Sequence, residues 1–184
     1  MPKQKYITYT LALLPLIFIT FNSYYNSYII NPFSYLITSS GFIALTLLIV
    51  VIIIPVINSL KYFLDRRILG LMTFFYTSIH LVIYILDNNI SFKYLIADIL
   101  NLLYIQSGYL AFFLFLPLVF TSTIASKIRL KNDWFKIHKL IYIIIPLSFI
   151  HYYLIIKADY LTFAIYLSIT SLILLFKKRL KRNE

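Results

Sequence analysis

The chain has 184 residues, 61% hydrophobic and 12% charged, with a mean hydropathy of +0.88 and a formal net charge of +11. That composition excludes a soluble globular domain and predicts an all-α, multi-pass membrane protein. The chain contains no cysteine, so disulfides, thiolate catalysis, cysteine-ligated iron–sulfur clusters and cysteine zinc sites are excluded, and any metal must be held through histidine.

Six stretches are long and apolar enough to span a bilayer, at about 7–22, 36–57, 68–86, 108–126, 137–156 and 160–176. The first begins like a signal peptide, with Lys3 and Lys5 ahead of it. No small-residue cleavage site follows Phe21 and Asn22, so it is read as a helix. Of the 17 Lys and Arg, all but Lys93 and Lys157 fall on the side that holds both termini. By the positive-inside rule both termini are cytoplasmic, and the same asymmetry supports six transmembrane helices. The basic loops face anionic lipid, which accounts for the net charge without nucleic acid as a partner.

Between the third and fourth spans, about residues 87–107, runs the longest connection, with Asp87, Asn88, Asn89, Lys93 and Asp98. Its apolar stretch from Tyr94 to Ile105 predicts a short helix at the outer interface, placed to pack against the bundle or to dock a partner. No internal repeat and no flexible linker is evident, and residues 1–184 read as a single domain.

The three histidines, His80, His138 and His151, each lie in or at the edge of an apolar span. An ionisable side chain at membrane depth is costly and generally functional, and neutral imidazole is a good iron ligand. The plainer alternative is a histidine that only hydrogen-bonds to a neighbouring helix. Thirteen residues separate His138 from His151 in one predicted span, about 19.5 Å of helical rise, which is two depths in one bilayer. Counted from Arg67, His80 reaches the outer half of the membrane, the level His151 reaches on a parallel helix. A haem between them would take one imidazole from each side, giving a six-coordinate centre suited to electron transfer.

At the inner level His138 has no histidine opposite it, and Arg66 and Arg67 occupy the corresponding depth. Arg66 returns to within about 40° of the His80 face, whereas Arg67 is turned away. A guanidinium suits a haem propionate or a flavin phosphate, although two arginines at a cytoplasmic helix end also serve as topogenic anchors. Thirteen residues turn an ideal helix through about 220°, so His138 and His151 would point to different sides unless Pro146 kinks or unwinds the segment.

The run DRRILGLMTFFYTSIH at 65–80, FTST at 120–123 and WFKIHKLIYIIIPLSFIHYY at 134–153, with NPF at 31–33 and SGFIAL at 40–45, resembles the MsrQ (YedZ) family. These are haem-binding membrane subunits of periplasmic methionine-sulfoxide reductase systems, within the ferric-reductase-like transmembrane superfamily. The resemblance covers spans two to five, and the ends match only in hydropathy. It implies an electron-transfer subunit with one or two b-type haems and FMN. Electrons would come from the quinone pool or a cytoplasmic flavin reductase and pass to a periplasmic molybdopterin methionine-sulfoxide reductase that repairs oxidised proteins. His80, His138 and His151 match the family's histidine positions, and Arg66 and Arg67 its paired arginines. FMN rests on the resemblance alone, since only Gly41, Gly70 and Gly108 are glycine and none belongs to a phosphate-binding loop.

After the sixth span only KKRLKRNE remains, too short for a flavin or nicotinamide domain, so electrons are expected from another protein or from quinol. Sulfoxide reduction itself is expected on the partner, leaving this chain with no catalytic residue of its own. Two alternatives stay open. One is another quinol-linked membrane cytochrome or ferric reductase lacking its soluble domain; the other is a small transporter or assembly protein, which would lack a haem spectrum and would be expected to break its helices around polar midplane groups.

Overall fold

A computed structural model of the protein describes residues 2–182, with side chains described over 3–177. The side chains of Lys178, Arg179, Lys181 and Arg182, part of the cytoplasmic charge read from the sequence, lie outside the described residues. Everything regular among the described residues is helical. Six helical spans are long and apolar enough to cross a membrane: Lys3–Tyr25, Pro32–Ile53, Arg66–Asp87, Leu103–Phe120, Asn132–Ile155 and Tyr160–Lys177. The chain divides into two compact units, residues 1–90 with 166–184, and residues 91–165.

The first unit is built on α1 (Pro2–Tyr25), α2 (Pro32–Ile53), the single turn α3 (Leu60–Phe63) and α4 (Arg66–Asp87). Several sequence motifs prove to be helix starts. In NPF, the Asn31 side chain accepts from Ser34 N–H and Pro32 takes the first turn, where its missing donor costs nothing. In DRR, the Asp65 carboxylate accepts from the backbone N–H groups of Arg67 and Ile68 and complements the α4 dipole. On α4, Ile68, Leu69, Met72, Thr73 and Tyr76 are buried, one stripe at helical spacing, and α2 packs on it with Ser40, Ala44, Leu45, Leu48, Ile49, Val51 and Ile52. Within a bilayer such contacts are held by packing rather than by water expulsion, and small residues at the interface let the backbones approach. Fully buried Tyr76 donates its hydroxyl to Ala12 O at 2.7 Å, tying α1 to α4.

The second unit comprises α5 (Phe92–Asn101), α6 (Leu103–Phe120), α7 (Ile124–Leu130), α8 (Asn132–His138) and α9 (Ile141–Ile155); α10 (Tyr160–Arg182) begins in it and continues into the first. The expected helix between spans three and four is present as α5, ending at Asn101. The fourth span lies earlier than its predicted 108–126. Its polar start is satisfied inside the helix, where Ser107 Oγ donates to Tyr104 O, and it stops at Phe120 because Thr123 caps α7 by accepting from Ser126 N–H. The fifth span is interrupted, and not at Pro146, which sits inside α9. The break is at Lys139 and Leu140, whose N–H groups donate three residues back, to Lys136 O and Ile137 O. His138 and His151 therefore lie on two successive helices, and the phase of one ideal helix does not apply to them.

Exposed apolar side chains are numerous in both units. Phe18, Phe113 and Leu172 are each more than half exposed, a pattern that suits lipid and would be a liability in water.

Candidate functional site

Two of the three histidines are seated alike on different helix pairs. In the first unit His80 of α4 donates Nδ1–H to the Ile37 carbonyl of α2 at 2.8 Å. The ring comes this close because the residue one turn further along α2 is Gly41. A Cβ there would lie 2.9 Å from His80 Nδ1 and 3.0 Å from its Cε1, well inside van der Waals contact. In the second unit His151 of α9 donates Nδ1–H to the Tyr104 carbonyl of α6 at 2.6 Å. There a Cβ on Gly108 would lie 2.8 Å from Nδ1 and 2.9 Å from Cε1. Both glycines are mid-helix and neither has a positive φ, so the close approach of a ring explains them and backbone freedom does not.

A backbone carbonyl only accepts, so Nδ1 carries the ring proton and the lone pair of each neutral imidazole is at Nε2. This is the tautomer of histidines that ligate a metal through Nε2, with the outer hydrogen bond that orients the ring and raises its basicity. Among the described residues no three or more His, Asp or Glu gather as a metal site. Imidazoles oriented in this way, outside any such cluster, suit haem, where the macrocycle supplies most of the metal's nitrogen ligands.

His138 is seated differently. It closes α8, and its Nδ1–H reaches the Trp134 carbonyl one turn back on the same helix at 3.0 Å. Its ring stacks on Trp134 with centroids 3.8 Å apart and planes 24° from parallel. Trp134 in turn donates Nε1–H to Thr121 O at 2.9 Å, and the Lys127 ammonium lies 5.1 Å from the indole centroid.

At the start of α4, Arg66 donates Nε–H to Val51 O of α2 at 3.1 Å. Arg66 and His80 therefore both reach α2, as their shared helix face predicts. The Arg66 and Arg67 side chains line an open cleft of about 360 Å³ with Gln4, Lys61 and Asp65, so the paired arginines are gathered with a third cation.

The family profile described as ferric reductase like transmembrane component matches residues 40–149. A Caulobacter vibrioides protein named protein-methionine-sulfoxide reductase heme-binding subunit MsrQ is 37% identical over 152 residues, covering 79% of this chain and 72% of that protein. The chain belongs to this family, in its MsrQ branch. Proteins of the same name from Xanthomonas campestris pv. campestris (strain B100) and Xanthomonas euvesicatoria pv. vesicatoria are 40% and 39% identical over 110 residues, 59% of this chain. The chain spans 50% of the length of each of those two MsrQ proteins. No solved structure matches the chain.

Ser40, Gly41, Ser107, Gly108 and Trp134 were not legible as site residues from the sequence. A signal does exist: SGFIA at 40–44 recurs as SGYLA at 107–111, and TSIH at 77–80 is echoed by SFIH at 148–151. The MsrQ-type chain thus carries a short internal repeat, each copy pairing one Ser–Gly helix with one histidine helix.

Proposed function

We propose that the chain is a membrane electron-transfer subunit, a b-type cytochrome of one or two haems. In this reading it passes electrons from the quinone pool or a cytoplasmic flavin reductase to a periplasmic molybdopterin methionine-sulfoxide reductase. The observation that carries it is the doubled seat, in which His80 and His151 each give Nδ1–H to a carbonyl of the facing helix and so present a basic Nε2. The names of the relatives, heme-binding subunits of a methionine-sulfoxide reductase, support the same reading.

His80 and His151 would hold the iron of the outer haem, and residues 1–184 are read as a single haem-binding domain. When bound, haem b supplies a one-electron couple, and two imidazoles favour electron transfer over oxygen binding. His138 serves the inner level, as ligand of a second haem or at the point of electron entry. Arg66 and Arg67 bind a haem propionate or the phosphate of FMN, for which their guanidinium groups are the appropriate donors. The termini face the cytoplasm, across the inner membrane from the acceptor. Sulfoxide reduction takes place on the partner.

The test uses the protein purified from a haem-replete host and placed in liposomes, with quinol as reductant. Haem reduction followed by electron delivery to the molybdopterin enzyme is the expected result. Delivery to ferric chelates and not to that enzyme would replace it with the ferric-reductase reading, and protein without haem would leave a transporter or assembly factor.

A further inference from the structure

We infer that Ser40–Gly41 and Ser107–Gly108 are positioning residues for the two axial histidines, the glycine admitting the ring and the serine setting how strongly the ring is polarised. The inference rests on haem ligation by His80 and His151. Its new element is the serine, which reaches the carbonyl that receives the histidine proton. Tyr104 O accepts His151 Nδ1–H at 2.6 Å and Ser107 Oγ–H at 2.9 Å. Ile37 O accepts His80 Nδ1–H at 2.8 Å and lies 3.1 Å from Ser40 Oγ, whose shorter contact is with Leu36 O at 2.6 Å.

A carbonyl shared by two donors gives less to each. With Ser107 removed, Tyr104 O would bind the His151 proton more strongly, the ring would gain imidazolate character, and the ferric state, which carries the extra positive charge, would be favoured. The effect is graded. The single Ser107 hydroxyl proton goes to the shared carbonyl, whereas that of Ser40 is directed mainly at Leu36 O, so Ser107 tunes its ring more than Ser40 does. The glycines act sterically. Glycine inside a helix is less favourable than alanine, and in α2 and α6 it stands where a Cβ would strike an imidazole. Gly70 has nothing within 4 Å of its notional Cβ and serves as the contrast.

The experiment is a redox titration of the purified, haem-loaded protein with the ferric electron paramagnetic resonance spectrum recorded alongside. Ser107→Ala should keep its haem content yet shift the ferrous/ferric equilibrium about threefold or more toward ferric, with a change in the low-spin signal. Ser40→Ala should shift it less. Ser78→Ala should leave it unchanged, because Ser78 donates to Phe74 O and not to Ile37 O or Tyr104 O, the carbonyls that receive the His80 and His151 protons. Gly108→Ala should displace the His151 ring and lower haem affinity about 10-fold or more, as loss of ligand orientation does at other metal sites. Wild-type potentials and low-spin signals in Ser107→Ala and Ser40→Ala would overturn the serine role even if Gly108→Ala failed to fold. Absence of haem from the wild-type protein would instead overturn the ligation on which the inference rests.

Discussion

The seats of His80 and His151 are built across helix pairs, whereas that of His138 is built along one helix. Across a pair, the carbonyl and the space for the ring both come from the facing helix, at Ile37 and Gly41 or at Tyr104 and Gly108. The geometry of each ring is then as rigid as the packing of α2 on α4, or of α6 on α9. Along α8, Trp134 provides both the accepting carbonyl and the stacking surface. Such a seat follows its own helix, and the break at Lys139 and Leu140 separates it from the helix that carries His151. The first arrangement fixes its ring through two helices; the second lets its ring move with one.

The comparison breaks most readily at the ligands. His80→Ala or His151→Ala is expected to abolish the six-coordinate haem, measured as haem per chain and as the low-spin visible spectrum, and an unchanged spectrum in either variant would refute the pairing. Next in size, His138→Ala should slow quinol-driven haem reduction about 10-fold while sparing the outer haem spectrum, which stopped-flow absorbance would follow. Should the outer haem vanish as well, the two kinds of seat are not independent. Trp134→Phe keeps a carbonyl and an aromatic face beneath His138 but removes the bond to Thr121 O. A loss of about 1 kcal/mol of stability in thermal unfolding is expected, with entry slowed by less than His138→Ala slows it. The smallest effect sharpens the glycine contrast: Gly70→Ala should leave the spectrum intact and gain up to about 1 kcal/mol of stability, since alanine is the better helix former and the space is open.

Much of the fold could be read from the residues. Apolar length and the placement of Lys and Arg indicate six spans, whereas the caps at Asn31 and Asp65, whose side-chain oxygens satisfy orphan N–H groups, went unread within NPF and DRR. The shared face of Arg66 and His80 followed from helical phase and is met by their contacts with α2. The start of α6 was missed because Gln106 and Ser107 look like a loop, although a serine can satisfy itself on a carbonyl of its own helix, as Ser107 does. The break before α9 has no proline or glycine to announce it; Lys139 and Leu140 are ordinary helix formers in a tightened turn. The glycines were legible only as scarce residues, since their role depends on which side chain the facing helix brings against them. Recurrence of SGFIA as SGYLA carries meaning once each copy is seen beneath a histidine.

The most direct test of haem ligation is a reduced-minus-oxidised visible spectrum of detergent-purified wild-type protein, with haem per chain quantified after extraction. A low-spin b-type signal with one or two haems per chain is predicted. Colourless protein from a haem-replete host would contradict it and leave the doubled histidine seat as a packing device between helices.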